Sequence, residues 1–149
     1  MKRMICFIVM LVGLFSMVAF ANGPLLGVDV VPTVGAVANM HVGWDFGDIN
    51  IEASTANYQT YAAWPWTIGM LWTPQVENFG WRAGARVILG WTNPITYNGF
   101  EFVVGASSTW GPIQLYGDLV LRPFGAFAVR PVLGVNFLFG DLIPDVATE

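Results

Sequence analysis

The sequence predicts an all-β protein: an eight-stranded antiparallel up-and-down transmembrane β-barrel, preceded by a signal-peptide helix. Three observations support this fold class. Apolar and polar residues alternate along successive segments, which is the period of a β-strand. The chain is 55% hydrophobic and 15% aromatic but only 11% charged. After residue 21, no run of about twenty apolar residues could form a membrane helix, and a chain that spans lipid with strands must close into a barrel to pair its backbone groups.

The clearest alternation lies between residues 78 and 93. One face of this predicted strand is apolar, with Phe79, Trp81, Ala83, Ala85, Val87, Leu89 and Trp91. The opposite face carries Gly80, Arg82, Gly84, Arg86, Ile88 and Gly90. From Trp81 to Trp91 an extended strand covers about 33 Å, or about 25 Å when tilted by about 40°. That height matches the apolar band of a transmembrane barrel between its two aromatic girdles.

Residues 1–21 are predicted to be a signal peptide. Lys2 and Arg3 precede an uncharged apolar run, 4–18, which ends in the small-x-small site Ala19-Phe20-Ala21. The alternative is an uncleaved membrane anchor. Cys6 is the only cysteine and lies inside this segment, so the chain after cleavage has no disulfide and no thiolate metal site.

The remaining residues predict one β-barrel domain, 22–140, and an acidic C-terminal tail, 141–149. This mature part has no lysine and only four arginines, at positions 82, 86, 122 and 130, against ten acidic residues, a net charge of −6. Such a charge argues against nucleic acid as a partner, because nucleic-acid binding needs a basic surface.

The same alternation predicts eight strands, at 26–30, 34–46, 49–55, 58–72, 79–91, 100–110, 113–122 and 127–139. An even number puts both termini on one side of the membrane. The turns Gly47-Asp48 and Gly111-Pro112 are short, and 93–98 is the longest candidate exterior loop. Pro65 and Pro131 fall inside predicted strands, where proline removes a ladder hydrogen bond, so they are predicted to mark bulges or strand starts.

The face opposite the apolar one is predicted to line the lumen. Its charged residues and histidine form a candidate lumen charge network of His41, Asp45, Glu52, Arg82, Arg86, Glu101, Asp118 and Arg130. An eight-stranded barrel is only wide enough for its own side chains, and buried charges need partners. A salt-bridged plug is therefore the favoured interpretation, and a narrow ion or proton path through the same residues is the alternative.

The outward face is predicted to carry a lipid-facing aromatic girdle. Its residues are Trp44, Phe46, Tyr58, Trp72, Phe79, Trp81, Trp91, Phe100, Trp110 and Phe139. The predicted direction of each side chain also predicts the effect of substitutions. Ala85→Arg would place a charge on the lipid face at mid-membrane and should lower the free energy of unfolding by about 2–4 kcal/mol. Position 84 is predicted to point inward, so Gly84→Ala should lower the free energy of unfolding by less, unless the lumen is tightly packed at that position.

His41 is the only histidine, and neither a metal nor another cofactor is predicted around it. A metal site would need a second histidine or a cysteine. A catalytic base would need a nucleophile, and no spacing selects one among Ser54, Ser107 and Ser108. The sequence therefore predicts no catalytic residues, and His41 is interpreted as a lumen residue bonded to Asp45 or Glu52.

A signal peptide, amphipathic strands, aromatic girdles and a charged lumen together resemble the small outer-membrane β-barrels of diderm bacteria, the OmpA-transmembrane-domain and OmpX type. The resemblance implies localisation in the outer membrane, with outer-membrane lipids and the barrel-assembly machinery as partners. Some barrels of this shape modify lipid A: deacylases carry His-x-Ser, and palmitoyltransferases an adjacent Asp-Ser. This chain reads His41-Val42-Gly43 and has no Asp-Ser pair. Phe137 and Phe139 resemble the family's terminal aromatic signal, although the acidic tail follows them.

Three functions remain open from the sequence. The first is an integral outer-membrane barrel with a structural envelope role or a very narrow, porin-like pore. The second is an outer-membrane lipid-modifying enzyme. The third is a soluble secreted barrel of the lipocalin sort that binds an apolar ligand. In that third case the faces would be reversed and five tryptophans would line the inside: Trp44, Trp64, Trp72, Trp91 and Trp110.

Overall fold

The computed structural model describes residues 23–32, 37–55, 65–90, 95–123 and 128–140. The predicted signal peptide, 1–21, and the predicted acidic tail, 141–149, lie outside the described residues. So do Tyr58 and Trp91, two residues of the predicted aromatic girdle. Trp64, which the lipocalin-like alternative would place inside the barrel, also lies outside the described residues.

The described residues form strands joined by turns. The strands are β1 (Gly23–Val31), β2 (Val37–Asp45), β3 (Ile49–Thr55), β4 (Pro65–Trp72), β5 (Gln75–Val76), β6 (Phe79–Gly90), β7 (Thr96–Trp110), β8 (Ile113–Arg122) and β9 (Ala128–Leu138). Within this part of the chain there is no helix long and apolar enough to cross a membrane.

The eight long strands close into an antiparallel up-and-down barrel, which confirms the predicted fold class. Each long strand pairs with its neighbours in the sequence, β1 pairs with β9, and β4 pairs directly with β6. The two-residue β5 pairs only with the beginning of β6 and forms a small hairpin at the end of the barrel.

Alternation along each strand separates a polar interior from an apolar exterior. In β6, Trp81 is 60% exposed and the next residue, Arg82, is 0% exposed. Large apolar side chains are exposed on all eight long strands; examples are Val28, Met40, Ile51, Met70, Trp81, Val104, Leu119 and Leu133. The buried residues include many polar ones: Asp29, Asn39, His41, Asn50, Glu52, Thr67, Arg82, Arg86, Glu101, Gln114, Asp118 and Asn136.

The two ends of the barrel differ. At the terminal end, where β1 begins and β9 ends, the short turns around Gly47 and Gly111 connect β2 to β3 and β7 to β8. The opposite, distal end is where β2, β4, β7 and β9 begin. The sequence intervals between strands at the distal end are 32–36, 56–64, 91–95 and 123–127.

The distal end corrects one predicted loop. The prediction placed a loop at 93–98, whereas β7 already begins at Thr96. Its pairing with β6 shifts register between Ile88 and Leu89, whose partners are Gly99 and Tyr97, so Asn98 is the extra residue of a β-bulge. Bulges are common at barrel rims, and a single-residue insertion hides a strand from a strict period-2 pattern.

The two prolines have different positions. Pro65 is the first residue of β4, where its missing N–H is tolerated. Of the two predicted alternatives, a bulge or a strand start, the strand start is confirmed for this proline. Pro131 lies inside β9 opposite Leu119 of β8, without a register shift. On its other side, the β9 pairing with β1 ends at Leu133. Pro131 therefore lies where β9 has one paired neighbour among the described strands, so no ladder hydrogen bond to β1 is lost.

Gly84 lies where β4 and β6 approach closely. A Cβ atom added there would press on the backbone oxygen of Met70 and would lie 2.8 Å from the Cα of Leu71. The condition under which Gly84→Ala would be costly is therefore met. The effect of a substitution at Gly84 therefore reports on the packing between β4 and β6. It is not a suitable reference for testing whether Ala85 faces lipid.

Candidate functional site

The interior of the barrel is organised around Arg82, whose side chain is fully buried. Its Nε donates to both carboxylate oxygens of Asp118, at 3.1 and 3.2 Å. Its Nη2 donates to Glu52 Oε1 at 3.1 Å, and its Nη1 lies 3.5 Å from Gln114 Oε1. The guanidinium carbon lies 4.1 Å from the centre of the Tyr116 ring, which adds a cation–π contact. One side chain thus joins β3, β6 and β8 across the lumen.

Glu52 connects the two lumen arginines. Its Oε2 accepts a hydrogen bond from Arg86 Nη2 at 2.9 Å, while its Oε1 accepts from Arg82. Arg86 is also the cross-strand partner of Glu101 on β7. Removing any one member would take one of its counter-charges from at least one buried partner, and loss of a counter-charge is costly in a protein interior.

Asp29 anchors the other side of the lumen. Its Oδ1 accepts from Asn39 Nδ2 at 2.7 Å, and its Oδ2 accepts from the Tyr116 hydroxyl at 3.3 Å. The Nδ1 atom of His41 lies 3.6 Å from the same Oδ2. Because Tyr116 also packs against Arg82, the Asp29 side and the Arg82 side form one connected interior.

A chain of amide hydrogen bonds fixes the orientation of His41. Arg82 can only donate, so Gln114 Oε1 accepts from it, and the same oxygen accepts from Asn136 Nδ2 at 2.8 Å. Asn136 therefore presents its Oδ1 to His41 Nε2, and the two atoms form a hydrogen bond. An amide oxygen only accepts, so Nε2 carries the hydrogen and Nδ1 faces Asp29.

Glycines on neighbouring strands make room for these large side chains. Gly27 pairs with His41, Gly69 with Arg86, Gly105 with Asp118 and Gly134 with Tyr116. A Cβ atom added at any of these four glycines would collide with the partner's side chain. The glycines of the polar face thus fit large and small residues together in a lumen of fixed width.

The structure brings together most of the predicted lumen residues. His41, Glu52, Arg82, Arg86, Glu101 and Asp118 are all buried inside the barrel. Arg130 is half-buried toward the distal end and lines a small polar cavity of about 10 Å³ with Asp29, Arg86 and Glu101. A space of that size has room for about one water molecule.

Asp45 does not belong to this network. It is half-buried at the terminal end, where its Oδ1 accepts a hydrogen bond from the backbone N–H of Gly47 at 2.7 Å. That bond holds the turn between β2 and β3 and corresponds to a local Asx-type interaction. Its inward position was predicted from alternation, but alternation carries no information about which end of the barrel a residue occupies.

Four further residues are essential to the network and were absent from the predicted set. These are Asp29, Gln114, Tyr116 and Asn136, and all four lie on the inward face that the alternation identifies. Tyr116, Gln114 and Asn136 are uncharged, and the predicted network was limited to charged residues and the histidine. Asp29 is charged and lies on the same face of the alternation, so its absence from the predicted network was a mistake. Together with Asn39 and the six buried residues above, these four residues form what we call the lumen network.

The predicted girdle residues are concentrated at the terminal end. Trp44, Trp72, Phe79, Trp81, Trp110 and Phe139 are exposed on the outer surface, and Phe46 is half-buried beside the β2–β3 turn. Phe79 and Trp81 pack edge to face, with ring centres 5.5 Å apart. Phe100 is half-buried on the distal part of β7 and packs edge to face on Phe102.

The described residues do not assemble a nucleophile on His41. Ser54 is its cross-strand partner, but the Ser54 hydroxyl hydrogen-bonds to Thr67. Ser107 Oγ is buried, and Ser108 donates to the backbone oxygen of Asn78. In the same part of the chain, no group of three or more His, Cys, Asp or Glu residues could hold a metal ion.

The lipocalin-like alternative is wrong. It required tryptophans on the inner face, and Trp44, Trp72 and Trp110 are 38%, 56% and 54% exposed on the outside. The described interior is filled by the polar lumen network and leaves no apolar ligand cavity around these residues.

The chain matches no protein-family model, no curated protein and no solved structure.

Proposed function

We propose that this protein is an integral outer-membrane β-barrel of a diderm bacterium with a structural role in the envelope and a closed lumen. In this proposal, a signal peptide at 1–21 directs export, and the barrel-assembly machinery inserts the chain. The observation that carries the proposal is the inverted distribution of side chains: apolar residues outside and charged residues inside.

The outer surface supports a lipid environment. Exposed large apolar residues occur on every long strand, so the apolar surface surrounds the described barrel. Soluble monomers rarely expose contiguous apolar patches larger than a few hundred Å². The exposed aromatic side chains at the terminal end also support the proposal, because transmembrane barrels carry aromatic girdles where the apolar band meets lipid headgroups.

The lumen network supports a structural barrel over a pore. Arg82, Leu71, Ile88 and Val103 are all 0% exposed, so solvent does not reach the described lumen at these positions. An ion would have to displace paired charges on several strands in order to pass. The polar cavity beside Arg130 holds about one water molecule and does not form a path by itself.

Two measurements test this proposal. Protein from the outer-membrane fraction should migrate differently in SDS gels with and without boiling, since a closed barrel stays folded in cold SDS. In planar bilayers the refolded protein should give no discrete single-channel conductance. Recovery in a soluble fraction without a mobility shift would contradict the membrane assignment, while reproducible ion conductance would replace the structural role with a narrow pore.

A further inference from the structure

An apolar groove with a volume of about 630 Å³ lies on the outer surface of the described barrel, across β1, β2, β3 and β4. Ala53 is one of its lining residues, and its cross-strand partners, the larger Val42 and Ile68, line the groove as well. The small side chain between two large ones produces the depression. The groove extends toward the terminal end, and Leu26, Trp44, Ile51 and Phe139 also line it.

The charge of the terminal end restricts what can occupy this groove. Asp48 is exposed in the turn that connects Trp44 to Ile51, two of the lining residues of the groove. Glu77 is the other exposed charged residue among the described residues of that end, and no lysine or arginine is exposed there. A molecule lying in the groove with its polar end at the turn therefore meets negative charge, which favours an ammonium group and disfavours an anionic one.

We propose that this groove binds one acyl chain of a zwitterionic phospholipid whose headgroup carries an ammonium, as phosphatidylethanolamine does. The proposal rests on the proposed membrane location. The acyl chain lies against Ala53 and its neighbours, and the ammonium lies near the carboxylate of Asp48. At the surface, a contact of this kind favours the zwitterionic lipid by about fivefold over an anionic one.

Native mass spectrometry of the refolded full chain tests the proposal. The protein is incubated with equal amounts of phosphatidylethanolamine and phosphatidylglycerol with identical acyl chains, and the lipids retained on the protein are measured. The wild-type protein should retain one phosphatidylethanolamine in about fivefold preference. Ala53→Phe, which fills the groove, should lose most of this retention, and Asp48→Lys should keep a lipid but reverse the headgroup preference.

Ala85→Phe is the matched control, because Ala85 is also exposed on the outer face but lies on β6, away from the groove. It should retain lipid as the wild type does. Equal retention by Ala53→Phe and Ala85→Phe, or no preference between the two lipids, would overturn the proposal. So would a two-chain species that Ala53→Phe converts to one chain, because a second copy would then be the occupant. A mobility shift in SDS without retained lipid would overturn only this inference, while loss of the shift would overturn the barrel in the membrane.

Discussion

At the scale of single residues, Arg82 has the most partners in the lumen network and should be the least replaceable. Arg82→Met leaves Glu52 and Asp118 buried without the cation that lies between them. Breaking a buried ion pair from one side costs about 3–5 kcal/mol. The free energy of unfolding, from urea titration in lipid vesicles with tryptophan fluorescence, should fall by that amount.

Arg122→Met provides the matched control for this change. Arg122 is half-buried at the distal end, where its Nη2 donates to the backbone oxygen of Asn98 at 3.3 Å. Its removal should lower the free energy of unfolding by less than removal of Arg82 does, because the half-buried side chain meets water, which weakens its contacts. Similar losses for the two variants would mean that the Arg82 contacts contribute little to stability.

The contact between His41 and Asn136 depends on the missing side chain of Gly27. His41 reaches from β2 over β1 to β9, and a Cβ atom at Gly27 would occupy the position of both contacting atoms. Gly27→Ala should therefore break the hydrogen bond. Because the chain has one histidine, ¹⁵N NMR in detergent micelles can read its ring directly: a protected Nε2–H in the wild type, and loss of that protection in Gly27→Ala.

Gly117→Ala is the control for the loss of the His41–Asn136 hydrogen bond. It shows whether replacing any lumen glycine by alanine has the same effect on the His41 signal. A Cβ atom at Gly117 would meet only Leu133 Cδ2, at 3.4 Å. Its His41 signal should match that of the wild type. An Nδ1–H tautomer in the wild-type protein would contradict the hydrogen-bond chain that runs from Arg82 through Gln114 and Asn136.

Part of the lumen network could be predicted residue by residue from the sequence. Alternation was sufficient to place Arg82, Glu52 and Asp118 on the inward face. It could not show that Arg82 contacts both acids, because these residues lie on three strands and their relative heights depend on register around the closed barrel. Tyr116 shows the same limit: its inward direction was predicted, but its position between Asp29 and Arg82 is a property of the assembled lumen.

At the scale of elements, β6 gives the sharpest test of which face meets lipid. Ala85 is exposed near the middle of β6. An arginine there would lie at the level of the hydrocarbon core, so Ala85→Arg should cost about 2–4 kcal/mol in vesicles. The measurement is again the free energy of unfolding in a lipid bilayer.

Val76→Arg is the control for depth. Val76 is 77% exposed in β5 at the terminal end, beyond the middle of the barrel wall. An arginine at the interface costs about 0–1 kcal/mol. If Ala85→Arg were as well tolerated as Val76→Arg, the outer face of β6 would not lie in hydrocarbon.

The elements themselves were largely predictable, since a period of two residues is a local property that the closed barrel preserves. The exceptions also have local causes. Asn98 adds one residue to β7 and interrupts the alternation, so the beginning of the strand at Thr96 was taken for a loop. Pro131 was predicted to mark a bulge or a strand start, and that prediction was wrong: it lies inside β9 where, among the described strands, only β8 pairs with it, so no ladder bond to β1 is lost.

At the scale of the whole molecule, the two ends of the barrel predict its orientation. Bacterial outer-membrane barrels have short periplasmic turns and longer exterior loops. The turns around Gly47 and Gly111 at the terminal end are shorter than the distal interval 56–64 between β3 and β4. We therefore expect the terminal end to face the periplasm and the distal end to face the exterior.

Single cysteines can test this orientation, because the sequence contains only Cys6, within the predicted signal peptide. Ile95 is 61% exposed at the distal end, and Asp48 is exposed at the terminal end. In intact cells a membrane-impermeant maleimide should label Ile95→Cys, and it should label Asp48→Cys only after the outer membrane is permeabilised. The reverse pattern would invert the barrel and bring the acidic terminal end to the cell surface. The proposed phospholipid groove, which extends toward that end, would then have to be assigned to the opposite leaflet.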